Sequence, residues 1–336
     1  MRETKENLLV FGATGYIGAY IFREIIKNKN SFGRIAIITS PGTVENKSEQ
    51  LQNLKSEGVE VIVGDVTNPT DVLNAFKGIN TVISTIGRNV LAEQINWIQL
   101  AEKTPSVTRF FPSEYGTDID YSPQSAHEIP HQLKIKVRAA LKATSSLDYT
   151  YVVTGPYADG QMLAYLSPLA ESARLIGTYD VKAKSATLIE DGKGEISLTT
   201  PNELRANGYS VGKLVVKALL HPEASKKRAL KVNSFTTSPA DIVAEFEKQT
   251  GEKWNVTYTS LAELKELEAA AWENKVPMAS LYTLRRIWAE GGTLYAKRDN
   301  SLIDAEDNLE TLADAVRDAI VTQRSETQAT DTRKLT

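Results

Sequence analysis

The sequence contains no cysteine, which excludes disulfides, thiolate metal sites, iron–sulfur clusters and a cysteine nucleophile together. A chain without disulfides fits a reducing compartment. Histidine is scarce, three in 336 residues, so a histidine-rich metal cluster has little to be built from. No charge of one sign dominates: 39 Lys and Arg face 42 Asp and Glu, a net charge of −3. A dedicated nucleic-acid binder usually shows a basic excess, so no nucleic-acid partner is expected. No apolar run approaches the ~20 residues of a membrane helix. Met1 to Asn7 is polar and leads straight into a strand pattern, so neither a signal peptide nor membrane association is expected. What is there is ordinary: 41% hydrophobic and 24% charged residues, enough for one large domain or two intimate ones. The expectation is a soluble, cytoplasmic α/β protein.

The first 155 residues alternate apolar runs with helical stretches. Leu8 to Phe11, Ile35 to Ile38, Val59 to Val63, Thr81 to Ile86, Thr108 to Phe111 and Tyr149 to Thr154 read as buried parallel strands. Between them, helices are expected over Tyr16–Asn28, Lys47–Ser56, Thr70–Phe76, Ala92–Glu102 and from Pro130 to Ala143. Strict alternation means βαβ crossovers and a Rossmann-type doubly wound parallel sheet. After Gly155 the rhythm changes. Ala186–Ile189 and Ile196–Leu198, joined through Asp191-Gly192-Lys193-Gly194, read as a hairpin. Helices follow at Val211–Leu220, after the Ser238-Pro239 cap, after the Ser260…Glu263 capping box, and at Ser280–Ile287 and Leu309–Val321, with strands at Leu230–Asn233 and Trp254–Thr259. The division expected is a nucleotide-binding domain over 5–158, completed by a returning segment near 209–236. A smaller mixed α+β substrate lobe takes 159–208 and 237–324, and 325–336 is a frayed tail.

Gly12-Ala13-Thr14-Gly15-Tyr16-Ile17-Gly18 sits between the first strand and the first helix. Glycines allow a tight turn and let backbone N–H groups of the loop and of Tyr16 and Ile17 reach a pyrophosphate at a helix N-terminus. The plainer alternative is a packing loop without a ligand. NAD-specific sites place an acid after the second strand. Here the segment is Thr39-Ser40-Pro41-Gly42-Thr43, with no acid and with Lys47 as the nearest downstream cation. NADP(H) is therefore favoured, although Lys47 could be an ordinary solvated helix residue. Asp65 and Val66, after the third strand, stand where such folds flank an adenine, and Asp65 could equally be a turn residue before Pro69.

A short-chain dehydrogenase of the usual kind needs Tyr-x-x-x-Lys, and no Tyr here has a Lys four residues on. The candidate proton carrier is Lys134 in His131-Gln132-Leu133-Lys134-Ile135-Lys136-Val137-Arg138. Lys134, Arg138 and Lys142 share one helix face, where like charge and partial burial would lower a lysine pKa towards a working range. The plainer reading is a solvated basic face. His127-Glu128-Ile129-Pro130-His131 matches a zinc-protease spacing, but Pro130 breaks the helix that spacing requires, so no metal is expected. His127 or His131 would instead face a substrate pocket.

Arg109-Phe110-Phe111-Pro112-Ser113-Glu114-Tyr115-Gly116, with Gly12–Gly18, Val61–Asp65 and Lys134–Arg138, resembles the isoflavone reductase and phenylcoumaran benzylic ether reductase family, atypical short-chain reductases related to NmrA-like proteins. The resemblance covers residues 7–160 well. Later stretches, such as Tyr151–Tyr157 and Thr283–Trp288, look like fungal NmrA-like members. It implies an NADPH-binding Rossmann domain, a smaller lobe forming a cleft over the nicotinamide, and a lysine as general base, matched by Lys134. It places Ser84, Thr85 and Gly87 along the cofactor, Phe111, Pro112, Ser113, Glu114 and Tyr115 near the nicotinamide, and Gly155, Pro156 and Tyr157 closing on its ring. Tyr115, Tyr157, Met162 and Tyr165 would supply pocket walls. The chain departs from plant members at Ser40-Pro41, where they commonly carry Arg for the 2′-phosphate. The expected function is an NADPH-dependent oxidoreductase acting on a small aromatic or polyketide-like substrate. The alternative is a non-catalytic NAD(P) sensor working through a protein partner, and a homodimer is one option for assembly.

Overall fold

The computed structural model describes residues 5–159, 164–205 and 208–333. The first half runs β1 (Leu8–Phe11), α1 (Tyr16–Lys27), β2 (Ile35–Thr39), α2 (Pro41–Asn46), α3 (Ser48–Ser56), β3 (Glu60–Val63), α4 (Pro69–Ala75), β4 (Thr81–Ser84), α5 (Glu93–Glu102), β5 (Arg109–Phe111), α6 (Gln132–Lys142) and β6 (Asp148–Val153). Then follow β7 (Thr178–Asp180), β8 (Ser185–Ile189), β9 (Ile196–Leu198), α7 (Val211–Leu220), α8 (Pro222–Ser225), β10 (Arg228–Lys231), β11 (Phe235–Thr237), α9 (Pro239–Thr250), β12 (Asn255–Thr259), α10 (Leu261–Glu273), α11 (Ala279–Ala289) and α12 (Leu312–Arg333).

Seven strands form one sheet in the order β3-β2-β1-β4-β5-β6-β10, and every pairing is parallel. Parallel strands need crossovers, and the crossover helices cover both faces. That is why β1, β2 and β4 are buried along their whole length, with β1 apolar throughout and β2 and β4 apolar except at Thr39, Thr81 and Ser84. The chain winds outward from β1 to β2, then returns on the other side at β4. That reversal opens a crevice at the carboxyl ends of β1 and β4, where ligands bind in such sheets.

Helix α7 lies against α1 closely because Gly212 has no side chain: a Cβ there would stand 2.6 Å from the Tyr20 carbonyl. At its other end Arg109, from β5, donates to the carbonyls of Ala218 (2.8 Å) and Leu219 (2.9 Å), satisfying the last turn of α7. The remaining strands make two small sheets, β11-β9 and β12-β8-β7.

Four sequence expectations are revised. Ala186–Ile189 and Ile196–Leu198 do not form a hairpin. β8 pairs with β7 and β12, while β9 pairs with β11. Gly192 does turn the chain, but its carbonyl accepts from Ala240 N at the start of α9 and Ser197 N donates to Thr293 O, so longer-range bonds take the two strands apart. The true hairpin partner is β7, whose turn carries Lys184 at φ 50 and no glycine. Second, a separate helix, α2, spans Pro41–Asn46 where none was expected, and the expected helix follows it as α3, Ser48–Ser56. Third, the helix expected from Pro130 starts at Gln132, after two short 3-10 turns separated by an extended Glu128. Fourth, the helix expected over Leu309–Val321 starts at Leu312 and runs on to Arg333.

Candidate functional site

The glycine turn joins β1 to α1. Gly12 adopts φ +79, the left-handed region, and a Cβ there would press on the Thr85 backbone at 3.0 Å. A Cβ on Gly18 would fall 2.0 Å from the Gly12 carbonyl and 2.6 Å from the Thr85 hydroxyl. These two glycines let the loop, the helix and the end of β4 close on one another. Gly15 caps α1 without any side-chain hydrogen bond, which leaves the helix entrance to backbone groups. Thr85 fastens the far side through its hydroxyl, which donates to the Phe11 carbonyl at 2.8 Å.

This turn borders a cavity of 530 Å³. Gly15, Tyr16, Ile17, Thr85 and Gly87 line it, with Ser113, Tyr115, Gly155, Pro156 and Tyr157, and with His131 and Lys134. These residues come from the loops after β1, β4, β5 and β6 and from α6 with the turn before it. The rest of the cavity comes from parts that sequence reasoning did not assign to it: Arg88 and Leu91 after β4, Thr117, and Leu281, Leu284 and Trp288 from α11. Trp288 is held in place by its indole N–H, which donates to the Thr117 hydroxyl at 2.9 Å. The Thr283–Trp288 stretch was part of the family resemblance, so that signal pointed to α11, but nothing local ties α11 to the distant glycine turn.

Lys134 projects from the first turn of α6, and its ammonium donates to the Glu114 carbonyl. Burial lowers its pKa to about 8, opposed by Glu114 and reinforced by Arg88 and Arg138. Burial thus outweighs the like-charge crowding expected from the helix face, and Lys142 is exposed. Arg138 does not stand as a free charge either. It makes a two-pronged ion pair with the buried Glu114 carboxylate (2.8 and 3.1 Å) and lies over the Tyr151 ring at 4.4 Å. Glu114 therefore fixes Lys134 with its carbonyl and Arg138 with its side chain.

His131 is 2% exposed. The Ser125 hydroxyl donates to the Ile119 carbonyl at 2.6 Å, so it can only accept from His131 Nδ1, 2.8 Å away. The proton therefore sits on Nδ1, and Nε2 carries a lone pair with no partner among the described residues. Burial, then Lys134, lowers the pKa of His131 to about 4, so the ring is neutral at pH 7. The phenols are not acid–base groups near neutrality: burial raises both Tyr115 and Tyr157, and Tyr157 donates to the Tyr115 carbonyl.

On the other side of the glycine turn, Lys47 Nζ donates to the Thr14 carbonyl at 2.5 Å. The junction of α2 and α3 is thus tied to the loop, and Thr39 at the end of β2 is buried. Ser40 is not a free hydroxyl: its Oγ accepts from Thr43 N at 3.2 Å and caps α2. Asp65 is exposed and its carboxylate accepts from the Thr67 N–H and hydroxyl, both 2.8 Å, which hold it below the ordinary range. That is the turn geometry. The Val66 carbonyl accepts from Trp97 Nε1 at 2.7 Å.

Ser84 and Phe111 are fully buried strand residues, and Pro112 is buried beside them; none of the three lines the cavity. His127 is exposed and stands away from the cavity lining. Tyr165 faces a different cavity. Met162 lies outside the described residues.

The residues present fit a dinucleotide. The glycine cradle has no room for a Cβ at Gly12 or Gly18, the helix entrance carries no side-chain cap, and Lys47 stands against the loop.

Strand order and glycine turn together define a Rossmann-fold protein with a smaller mixed lobe. Residues 4–305 match the model of the NmrA-like family, and the chain belongs to that family. The isoflavone reductase homolog A622 of Nicotiana glauca is 34% identical over 162 residues, 46% of this chain and 50% of that protein, so the chain spans about half the length of that relative. The phenylcoumaran benzylic ether reductase PT1 of Pinus taeda is 25% identical over 269 residues, covering 79% of this chain and 82% of the relative. The leucoanthocyanidin reductase of Vitis vinifera, solved as a binary complex with NADPH, shares the fold with a TM-score of 0.75 at 18% identity, over 94% of this chain and 99% of that one.

Proposed function

We propose that the chain is an NADPH-dependent reductase of a small aromatic substrate, with Lys134 as the group that exchanges a proton with that substrate. The observation that carries the reading is Lys134 itself: a lysine tuned to about 8, set in a cavity that also contains the glycine turn. The relatives with reductase names and the NADPH-bound structure of the same fold support the cofactor. When bound, NADPH supplies a hydride. Gly15, Tyr16 and Ile17 would hold its pyrophosphate, and Lys47 its 2′-phosphate. Leu91, Leu281, Leu284 and Trp288 exclude water and offer the flat apolar walls that suit an aromatic ring. His131, neutral with a bare Nε2, accepts hydrogen bonds and does not compete with Lys134 for the proton.

The test is deuterium transfer from C4-labelled NADPH into a metabolite extract, read by mass spectrometry, with wild type and Lys134→Ala side by side. Label in one product with wild type alone is expected. Label with both proteins would keep the reductase and remove Lys134 from the chemistry. NADPH binding without label, on extract after extract, would favour a sensor. Once a substrate is known, the rate should titrate near pH 8 in wild type and lose that step in the variant.

A further inference from the structure

A second cavity, of 220 Å³, lies in the smaller lobe between the β7–β8 hairpin and α11. At its wall is Arg285, 3% exposed. Among the described residues no carboxylate lies within 4.0 Å of its guanidinium, although most other arginines here are paired. Its hydrogen bonding to the backbone is one long contact, Nη2 to the Tyr165 carbonyl at 3.4 Å, and Nε has no partner. The guanidinium carbon lies 4.4 Å from the centre of the Tyr165 ring and 5.5 Å from that of Trp288. The ionisable neighbours acting on it are Tyr165, which also shares a side-chain hydrogen bond with it, and Tyr179. Burial raises both phenols, so neither supplies a compensating charge.

A buried cation with neutral partners alone is costly, and such groups are normally paired with a carboxylate. The surroundings leave room for the partner. Gly177 has φ +102 and lines the cavity; a Cβ there would stand 3.6 Å from Nη1 and 3.7 Å from the Thr187 carbonyl. The glycine keeps the space in front of the guanidinium clear. The planar fork of Arg matches a carboxylate. Ile176, Leu188 and Ile196 give the cavity an apolar side, which suits an organic ligand over an inorganic one. Glu190 and Asp191 stand at the exposed rim, engaged with Leu261 N and Lys193 respectively, and their charges disfavour a dianion.

We propose that this cavity is a second ligand site, which takes a small organic monocarboxylate on the guanidinium of Arg285. Trp288 contributes to both cavities, so an occupant here is read out by an indole that also borders the candidate active site.

The test uses the full chain, with acetate and benzoate as probes, benzamide as the uncharged control and inorganic phosphate as the dianion. Thermal unfolding and tryptophan emission are the readouts. Benzoate should raise the Tm and shift the emission, with benzamide without effect and phosphate weaker than benzoate. The response should persist in the Arg88→Met/Lys134→Ala double variant, which strips the cations from the first cavity. Arg285→Gln should weaken benzoate at least ~10-fold. Should that variant not fold, Gly194→Leu serves instead: Gly194 lines the second cavity, and a Cβ there meets nothing nearer than the Ala289 carbonyl at 3.9 Å. It occludes the site with Arg285 intact and should abolish the response. The proposal is overturned if neither carboxylate acts, if benzamide or phosphate does as well, if the double variant loses the response, or if Arg285→Gln and Gly194→Leu keep it.

Discussion

Two glycines, Gly18 and Gly42, sit near the start of a helix and differ in everything that matters. Gly18→Ala puts a methyl group against the Gly12 carbonyl, a backbone atom that cannot swing away. The loop must open, at a cost upward of about 2 kcal/mol, and NADPH affinity should fall with it. Gly42 meets nothing within 4 Å and lies inside α2, so Gly42→Ala should stabilise by about 0.4–1 kcal/mol. Urea unfolding of the two variants separates them by sign. Lys47 is the residue on which the cofactor preference turns. Lys47→Ala should weaken NADPH by about 1.5–3 kcal/mol and leave NADH nearly unchanged, as read by calorimetry; equal losses would assign Lys47 to holding the Thr14 loop alone. The turn through Gly12 and Gly18 was legible in the sequence because it is a local backbone device. The state of His131 was not. Its tautomer depends on Ser125 and Ile119, and neither bond shows in a spacing.

Among the elements, α6 and the loop after β5 are joined by the Glu114–Arg138 pair, with side chains 1% and 7% exposed. Glu114→Gln leaves a buried guanidinium uncompensated and should cost about 3–5 kcal/mol. Glu60→Gln, which breaks the exposed pair with Arg34, should cost less than about 1 kcal/mol. Equal denaturation midpoints for the two variants would show that the buried pair is already relaxed by water. Elements were legible where their ends carry their own signal. Ser238 and Ser260 cap α9 and α10 through Asp241 N and Glu263 N, as their sequences announce. The same Ser-Pro signature opens α2 at Ser40-Pro41, yet that stretch was read for its cofactor chemistry and its cap was missed. The misread hairpin has another cause: β8 and β9 are close in sequence, but the bonds that decide their partners come from α9 and Thr293. The α11 wall of the cavity was hidden for the same reason.

On the scale of the whole molecule, the pH dependence of stability turns on one buried carboxyl group. Asp159 is 2% exposed, and Asn202 donates to it at 3.1 Å. Burial, then Asp318 on α12, pushes its pKa up to about 8. Glu310 adds to the negative field there, and Asp318 is itself raised by burial. The folded state holds this proton more tightly than the unfolded chain, where an Asp titrates near ~3.9. The sign follows: this contribution is fully present below about pH 4 and is lost as the pH rises towards 8. Asp159→Asn should flatten that part of the stability curve and raise the Tm at pH 8 relative to wild type. An unchanged slope between pH 5 and 8 would place the titrating group elsewhere.

The parallel strand β10 pairs with β6 from far along the chain, Arg228 opposite Thr150. During synthesis β6 leaves the ribosome well before its neighbour exists. At ~5–20 residues per second, its ladder of unpaired amides stands open for on the order of ten seconds. The nascent first half therefore carries an open, half-finished sheet edge through that interval.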